Sequence, residues 1–162
     1  MKLLRTIRFD ASDTAVFDVA AAEGEWAVSG AFVFANDDPT GFKGKTKQAF
    51  ANGFLGVPSF GRSTFAIVGD AKDEEMGELA YHLARHFVER CGAPSIDAAL
   101  PVANEEVAFA AGLAADQPVN TVLTVRRTVS ADGGIKEEFR TIRPPSGERM
   151  HARVWTFESD DA

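Results

Sequence analysis

The run DEEMGELAYHLARHFVERC, residues 73–91, decides the fold class. Its apolar residues Met76, Leu79, Ala80, Leu83, Phe87 and Cys91 recur at helical spacing, and acids crowd its first turn, where the helix dipole favours them. Gly92 and Pro94 then stop it. On its N-terminal side, Thr64 to Gly69 is a short apolar run that reads as a strand. On its C-terminal side a second helix is predicted from Asn104, an N-cap residue type, to about Ala115, ahead of Pro118. Val107, Phe109, Ala111 and Leu113, with alanines between them, leave that helix little polar face, so burial or an interface is expected.

Further out the period changes to two. Residues 119–130 and 135–143 flank Ala131-Asp132-Gly133-Gly134, a hairpin with glycines at its turn. Pro144-Pro145-Ser146-Gly147 breaks the chain before a last strand, residues 149–157. Upstream, Leu3, Arg5, Ile7 and Phe9 alternate with Leu4, Thr6 and Arg8 in a first strand, which Asp13 to Asp18 extends or pairs with. A second strand is expected from Trp26 to Ala35, apolar on both faces, ending at Asn36-Asp37-Asp38-Pro39. Strands, then two helices, then strands describe an α+β domain spanning residues 1–162, with a largely antiparallel or mixed sheet of about six strands and two main helices.

Composition bounds the rest. A chain of 162 residues with 45% hydrophobic and 25% charged content is long enough to bury a core, and a single cysteine forms no internal disulfide and favours a reducing compartment. The N-terminus lacks the apolar run of a secretory signal, and no segment has the apolar length of a membrane span, so a cytoplasmic location and no membrane partner are expected. A net charge of −7 argues against unaided nucleic-acid binding. The charge is uneven: residues 119–155 net +3, with arginines that pair with Glu137 and Glu138 on neighbouring strands in the plainest reading.

Against that acidic background stands GFKGKTKQAFANGFLGVPSFGRST, residues 41–64, with Lys43, Lys45, Lys47 and Arg62 and no carboxylate. Phenylalanines at 42, 50, 54 and 60 lie among its glycines, a mixture that points to binding or close packing. Gly44-Lys45-Thr46 has the context of a phosphate loop but not its spacing, since Pro39 stands where the first glycine belongs. On the last strand Arg149, His151 and Arg153 share a face with Trp155, a basic ladder suited to a carboxylate or phosphate. Lys43, Lys45, Phe54, Phe60, Arg62, Arg149 and Arg153 are therefore the candidate ligand-binding residues, for a small anionic ligand or an acidic partner protein.

Candidate chemistry is thinner. His82 and His86 lie one turn apart on the long helix with Glu89 on the same flank, an array that holds zinc, nickel or iron when another ligand joins. The same spacing also makes ordinary surface ion pairs. Cys91 reads as a small buried hydrophobe, and no serine has the strand-turn-helix setting of a nucleophile. No cofactor is implied. The expectation is a non-catalytic binding or accessory module, with a small metal-dependent enzyme at His82 and His86 as the alternative, and the aromatic and alanine-rich faces make a homodimer reasonable. The run GFLGVPSFGRSTF at 53–65, the alanine-rich helix and the chain length together resemble a family of short bacterial proteins of unknown function. That resemblance implies a soluble protein outside the familiar enzyme classes and assigns no role to any residue.

Overall fold

Phe54 and Phe139 come within 6.2 Å, centroid to centroid, although their strands are five places apart in one sheet. Five flat strand spacings would separate them by about 24 Å. The sheet is therefore curled, and its concave side forms one of the two apolar clusters of the protein.

The computed structural model describes residues 1–143 and 156–159. Its strands are β1 (Lys2–Ile7), β2 (Trp26–Val28), β3 (Phe54–Val57), β4 (Arg62–Ser63), β5 (Phe65–Asp70), β6 (Val122–Val129), β7 (Ile135–Arg143) and β8 (Thr156–Ser159). They join in the order β4-β3-β2-β1-β5-β6-β7-β8, each antiparallel to its neighbours. The helices are α1 (Ser12–Val16), α2 (Gly44–Asn52), α3 (Asp73–Arg90) and α4 (Ile96–Ala115). The α+β class and the antiparallel sheet agree with the sequence reading. The strands and helices outnumber the six and two expected, because residues 12–16 and 41–64 contribute elements that periodicity does not reveal.

Alternation along the strands sorts the core. Leu4, Ala27, Phe54, Ala66, Val68, Leu123, Val125 and Phe139 make the concave cluster, joined by Ala114 of α4. Leu3, Val28, Leu55 and Val57, which point the other way, pack with the buried stripes of α3 and α4. In α4 that stripe is Ala99, Ala103, Val107 and Ala110, side chains small enough for close approach to α3. The main-chain N–H of Lys72 donates to Glu75 (3.0 Å) at the start of α3. At its end Gly92 takes φ 79°, which lets Ala93 N–H return to Phe87 O at 3.0 Å.

Four expectations need correction. The second strand ends at Val28, because Gly30 adopts φ 76° and the chain turns into a 3₁₀ segment, Ala31–Phe34. A Cβ on Gly30 would lie 2.5 Å from Leu55 Cβ and 2.7 Å from Arg62 Nη1, so this turn is both left-handed and tightly enclosed. Phe32 and Phe34 serve as turn residues packed on Phe87 and Phe50 rather than as one face of a strand. Residues 13–18 neither extend nor pair with β1: they include α1, whose buried Asp13 accepts from Thr64 Oγ1 (2.6 Å) and Thr64 N (3.3 Å). The second long helix starts eight residues before Asn104, at Ile96, capped by Ser95 Oγ accepting from Ala98 N at 3.1 Å. Pro101 lies inside it, where the buried alanine stripe outweighs the lost backbone bond. Cys91 is exposed rather than buried.

Candidate functional sites

Segment 41–64 folds into α2, β3, a turn and β4, and this separates the cations that the sequence groups together. Lys43, Lys45 and Lys47 stay in solvent at the N-terminal end of α2. Arg62 turns inward and is only 6% exposed. Its Nη1 donates to Gly53 O (3.1 Å) and its Nη2 to Gly30 O (3.2 Å), while the guanidinium lies 4.9 Å from the Phe34 ring centre. Burial, and then the charge of Arg127, push its pKa down to about 9. Arg62 is thus a structural cation and not a surface recognition residue. Phe54 is fully buried in the concave core. Arg149 and Arg153, with His151, lie outside the described residues.

Arg127 approaches the same Gly53 carbonyl from β6, with Nη1 at 2.8 Å. That nitrogen also donates to Phe50 O (3.0 Å), Nε donates to Glu137 (2.9 Å), and Nη2 donates to Ser29 O. The carbonyls at the end of α2 are unsatisfied within the helix, and a guanidinium there meets both their lone pairs and the negative end of the dipole. Burial lowers the Arg127 pKa while Glu137 opposes the shift. Glu137, its partner across the β6–β7 register, also accepts from Ser29 Oγ. Ser29 follows β2 and opens a turn, but it is 3% exposed and its hydroxyl is engaged by Glu137, so it serves packing and not nucleophilic attack. Glu106 of α4 completes the group. Burial, then Glu137, raise its pKa, and its Oε1 is buried with no hydrogen-bond partner among the described residues. The sequence reading anticipates the pairing of arginines with Glu137 and Glu138, which the structure shows for Arg127 with Glu137 and Arg140 with Glu138, but it misses the burial of Arg127 and the part played by Ser29 and Glu106. The available signal was Arg127 sharing strand parity with the core residues Leu123 and Val125, and Glu106 standing one residue from the buried Val107 and three from the buried Ala103.

Two of the concave surfaces among the described residues bear on the candidate sites. The first, about 630 Å³, lies between α2 and β6 and is lined by Gly44, Lys47, Gln48 and Asn52 from one side and Arg126 and Thr128 from the other, with Arg127 in its wall. Among the described residues no carboxylate lines it. Gly44 opens α2 with φ 58° and lines the groove, and no side chain caps that helix start, which leaves its first N–H groups without a side-chain partner and the positive end of the dipole beside the groove. The stretch before α2 is a 3₁₀ turn, Pro39–Gly41, and not a strand, which removes the remaining phosphate-loop context.

The second, about 760 Å³, lies between α3 and the turn joining β3 to β4. It brings Phe60, His82, His86 and Glu89 together, four of the candidates, beside Arg85 and Arg90. The Phe60 and His86 rings stack at 3.8 Å with 12° between their planes. Burial, then Arg90, lower the His86 pKa, and Glu89 opposes the shift. Glu89 pairs with Arg85 at 3.1 Å. Among the described residues no three His, Cys, Asp or Glu side chains come together to hold a metal, so His82 and His86 gain no third ligand there.

Among the described residues no helix is long and apolar enough to cross a membrane. No curated protein and no solved structure matches the chain. Residues 1–156 match one family throughout, and the chain belongs to that family of unknown function, DUF6505.

Proposed function

We propose that the protein is a non-catalytic binding module that recognises an acidic partner protein or small anionic ligand through the groove between α2 and β6. One observation carries this reading: Lys47 and Arg126 converge on a groove that no carboxylate lines among the described residues, at an uncapped helix start, in a chain whose net charge is −7. Lys43 and Lys45 extend the same positive surface beyond the rim, exposed and without an ion pair among the described residues. A protein with excess acid elsewhere does not keep such a patch for general solubility, and opposite charge on a partner would speed encounter and set orientation.

The test uses a fluorescein-labelled oligoglutamate peptide and anisotropy at low and moderate salt. Binding should weaken with salt, and Lys45→Glu combined with Lys47→Glu and Arg126→Glu should reduce affinity by roughly tenfold or more, since rim charges act through encounter and modest pairing. All three positions are exposed, so the fold should tolerate the change. Unaltered anisotropy curves for the triple variant, or no association with the peptide at low salt, would sink the proposal.

A further inference from the structure

We infer that the cleft between α3 and the β3–β4 turn is a separate site for a small organic anion, a molecule with an apolar body and a carboxylate or phosphate group. The cleft is divided by chemistry. Along α3, His82, Arg85, His86 and Glu89 occupy one helical stripe, followed by Arg90. Across from them stand Val19, Pro58 and Phe60. Val19 is 59% exposed, a large aliphatic side chain left in water at the edge of a concavity. A volume of 760 Å³ falls within the range of small-molecule sites, roughly 300–1,000 Å³.

The charge balance selects the sign of the ligand. Two guanidiniums face one carboxylate, and that carboxylate is shared with Arg85 in a pair whose side chains are both more than half exposed. Such a pair is weak and exchanges readily with an incoming oxyanion. Arg90 has no ion pair among the described residues. The His86 imidazole is held toward its neutral form, leaving ring nitrogens for hydrogen bonding without adding a buried charge.

The apolar wall is built to stay in place. Ser59 donates from its N (2.6 Å) and Oγ (2.7 Å) to the two oxygens of Glu25 and accepts from Gly61 N at 3.0 Å. Phe60 N–H reaches Gly56 O, and Gly56 N–H reaches Gly61 O, both at 2.8 Å. Gly61 lies so close to residues 20 and 21 that a Cβ would meet Ala20 C at 2.6 Å. These contacts hold Phe60 at φ 59°, a left-handed conformation unfavourable for an aromatic residue, and present its ring flat against His86. Strain that the surroundings over-determine, at the lip of a cleft, is the pattern of a surface held ready for a ligand.

The experiment follows histidine ring resonances in isotope-labelled full-length protein during titration with phenyl phosphate and with benzoate. Inorganic phosphate and benzyl alcohol separate the charged and apolar halves. At least one aromatic anion should give saturable shifts at His82 and His86, and either half alone should bind at least about tenfold more weakly, the change expected from losing one charge-assisted contact or a comparable apolar burial. Arg85→Gln with Arg90→Gln, both at exposed positions, should weaken the aromatic anion by a similar factor. The inference is overturned if neither aromatic anion gives saturable shifts, if inorganic phosphate or benzyl alcohol binds equally well, or if the double variant binds unchanged.

Discussion

Replacing Arg62 and Arg127 separately with methionine should give unequal losses of stability, although both guanidiniums meet at one carbonyl. Arg62→Met removes a buried charge that has no carboxylate partner among the described residues and lies beside another cation. Gly53 O keeps its bond from Arg127, so only Gly30 O loses its side-chain donor, at a cost of about 1–3 kcal/mol. Relief of charge burial contributes about 1–4 kcal/mol in the other direction, and methionine keeps apolar contact with Phe34. At mid-range the two terms cancel to within about 1 kcal/mol. In Arg127→Met the relief of charge burial is outweighed, because the change strips Phe50 O and Ser29 O of a donor and leaves Glu137 facing Glu106 without its cation. Breaking a buried pair in this way costs about 3–5 kcal/mol, here toward the lower end because the Glu137 side chain keeps 20% exposure. The expected gap of about 3 kcal/mol corresponds to roughly 6–12 °C in Tm for a chain of this size. Urea unfolding with matched m-values reads it directly. Equal losses, or a larger loss from Arg62→Met, would refute the assignment of Arg127 as the compensated centre and Arg62 as its dispensable neighbour.

Two pH dependences follow from the same geometry. The folded state raises the Glu106 pKa above its ordinary 4.5, so this group contributes stability below that value and loses it as pH rises through the folded pKa. Glu106→Gln, which cannot ionise, should therefore be more stable than the parent near neutral pH, with the difference in urea midpoint closing on acidification; a pH-independent difference contradicts the burial argument. His86 runs the opposite way: its pKa lies below the ordinary 6.5, so its contribution is present above that value and is lost as pH falls through the folded pKa. Its imidazole faces Arg90 and Glu89 from α3 and the Phe60 and Phe32 rings from the opposing segments. An NMR titration should show the His86 ring protonating below the ordinary 6.5, and His86→Gln should flatten the stability profile in that window. A His86 ring that protonates at or above 6.5 would remove the basis for both effects.

The elements legible in the sequence are those whose burial follows a simple period. Residues 73–91 and the hairpin around 131–134 keep one face in the core over most of their length, so spacing reports them, while the ends at Cys91 and the turn 131–134 leave it. The same test misreads residues 26–35, because alternation continues through Gly30 while the backbone turns at φ 76° to let Arg62 and Leu55 approach. It also hides the start of α4, where Pro101 looks like a break although the stripe from Ala99 to Ala114 holds the helix. For the candidate sites, His82, His86 and Glu89 were legible together because they share one helix, and Phe60 joins them only through the β3–β4 turn. Arg62 was misplaced for a physical reason. Long-range backbone carbonyls, here from Gly30 and Gly53, leave no trace in side-chain composition, yet they are what draws its guanidinium inward.

That inward arginine also explains why segment 41–64 carries no carboxylate while two different surfaces emerge from it. Arg127 holds Phe50 O and Gly53 O, fixing the end of α2 and with it the wall of the α2–β6 groove. Arg62 holds Gly53 O from β4, two residues after Phe60, and so ties the Phe60 turn to the same joint. An acid within this segment that reached Arg62 would compete with the Gly30 and Gly53 carbonyls for its guanidinium and pull it from the joint, because a charged acceptor binds more strongly than a neutral one. An acid on the exposed face of α2 would instead neutralise the lysines. The same composition thus answers two demands, one internal and one at the surface. The Gly53 carbonyl, shared by both arginines, is where the geometry of the two open surfaces meets.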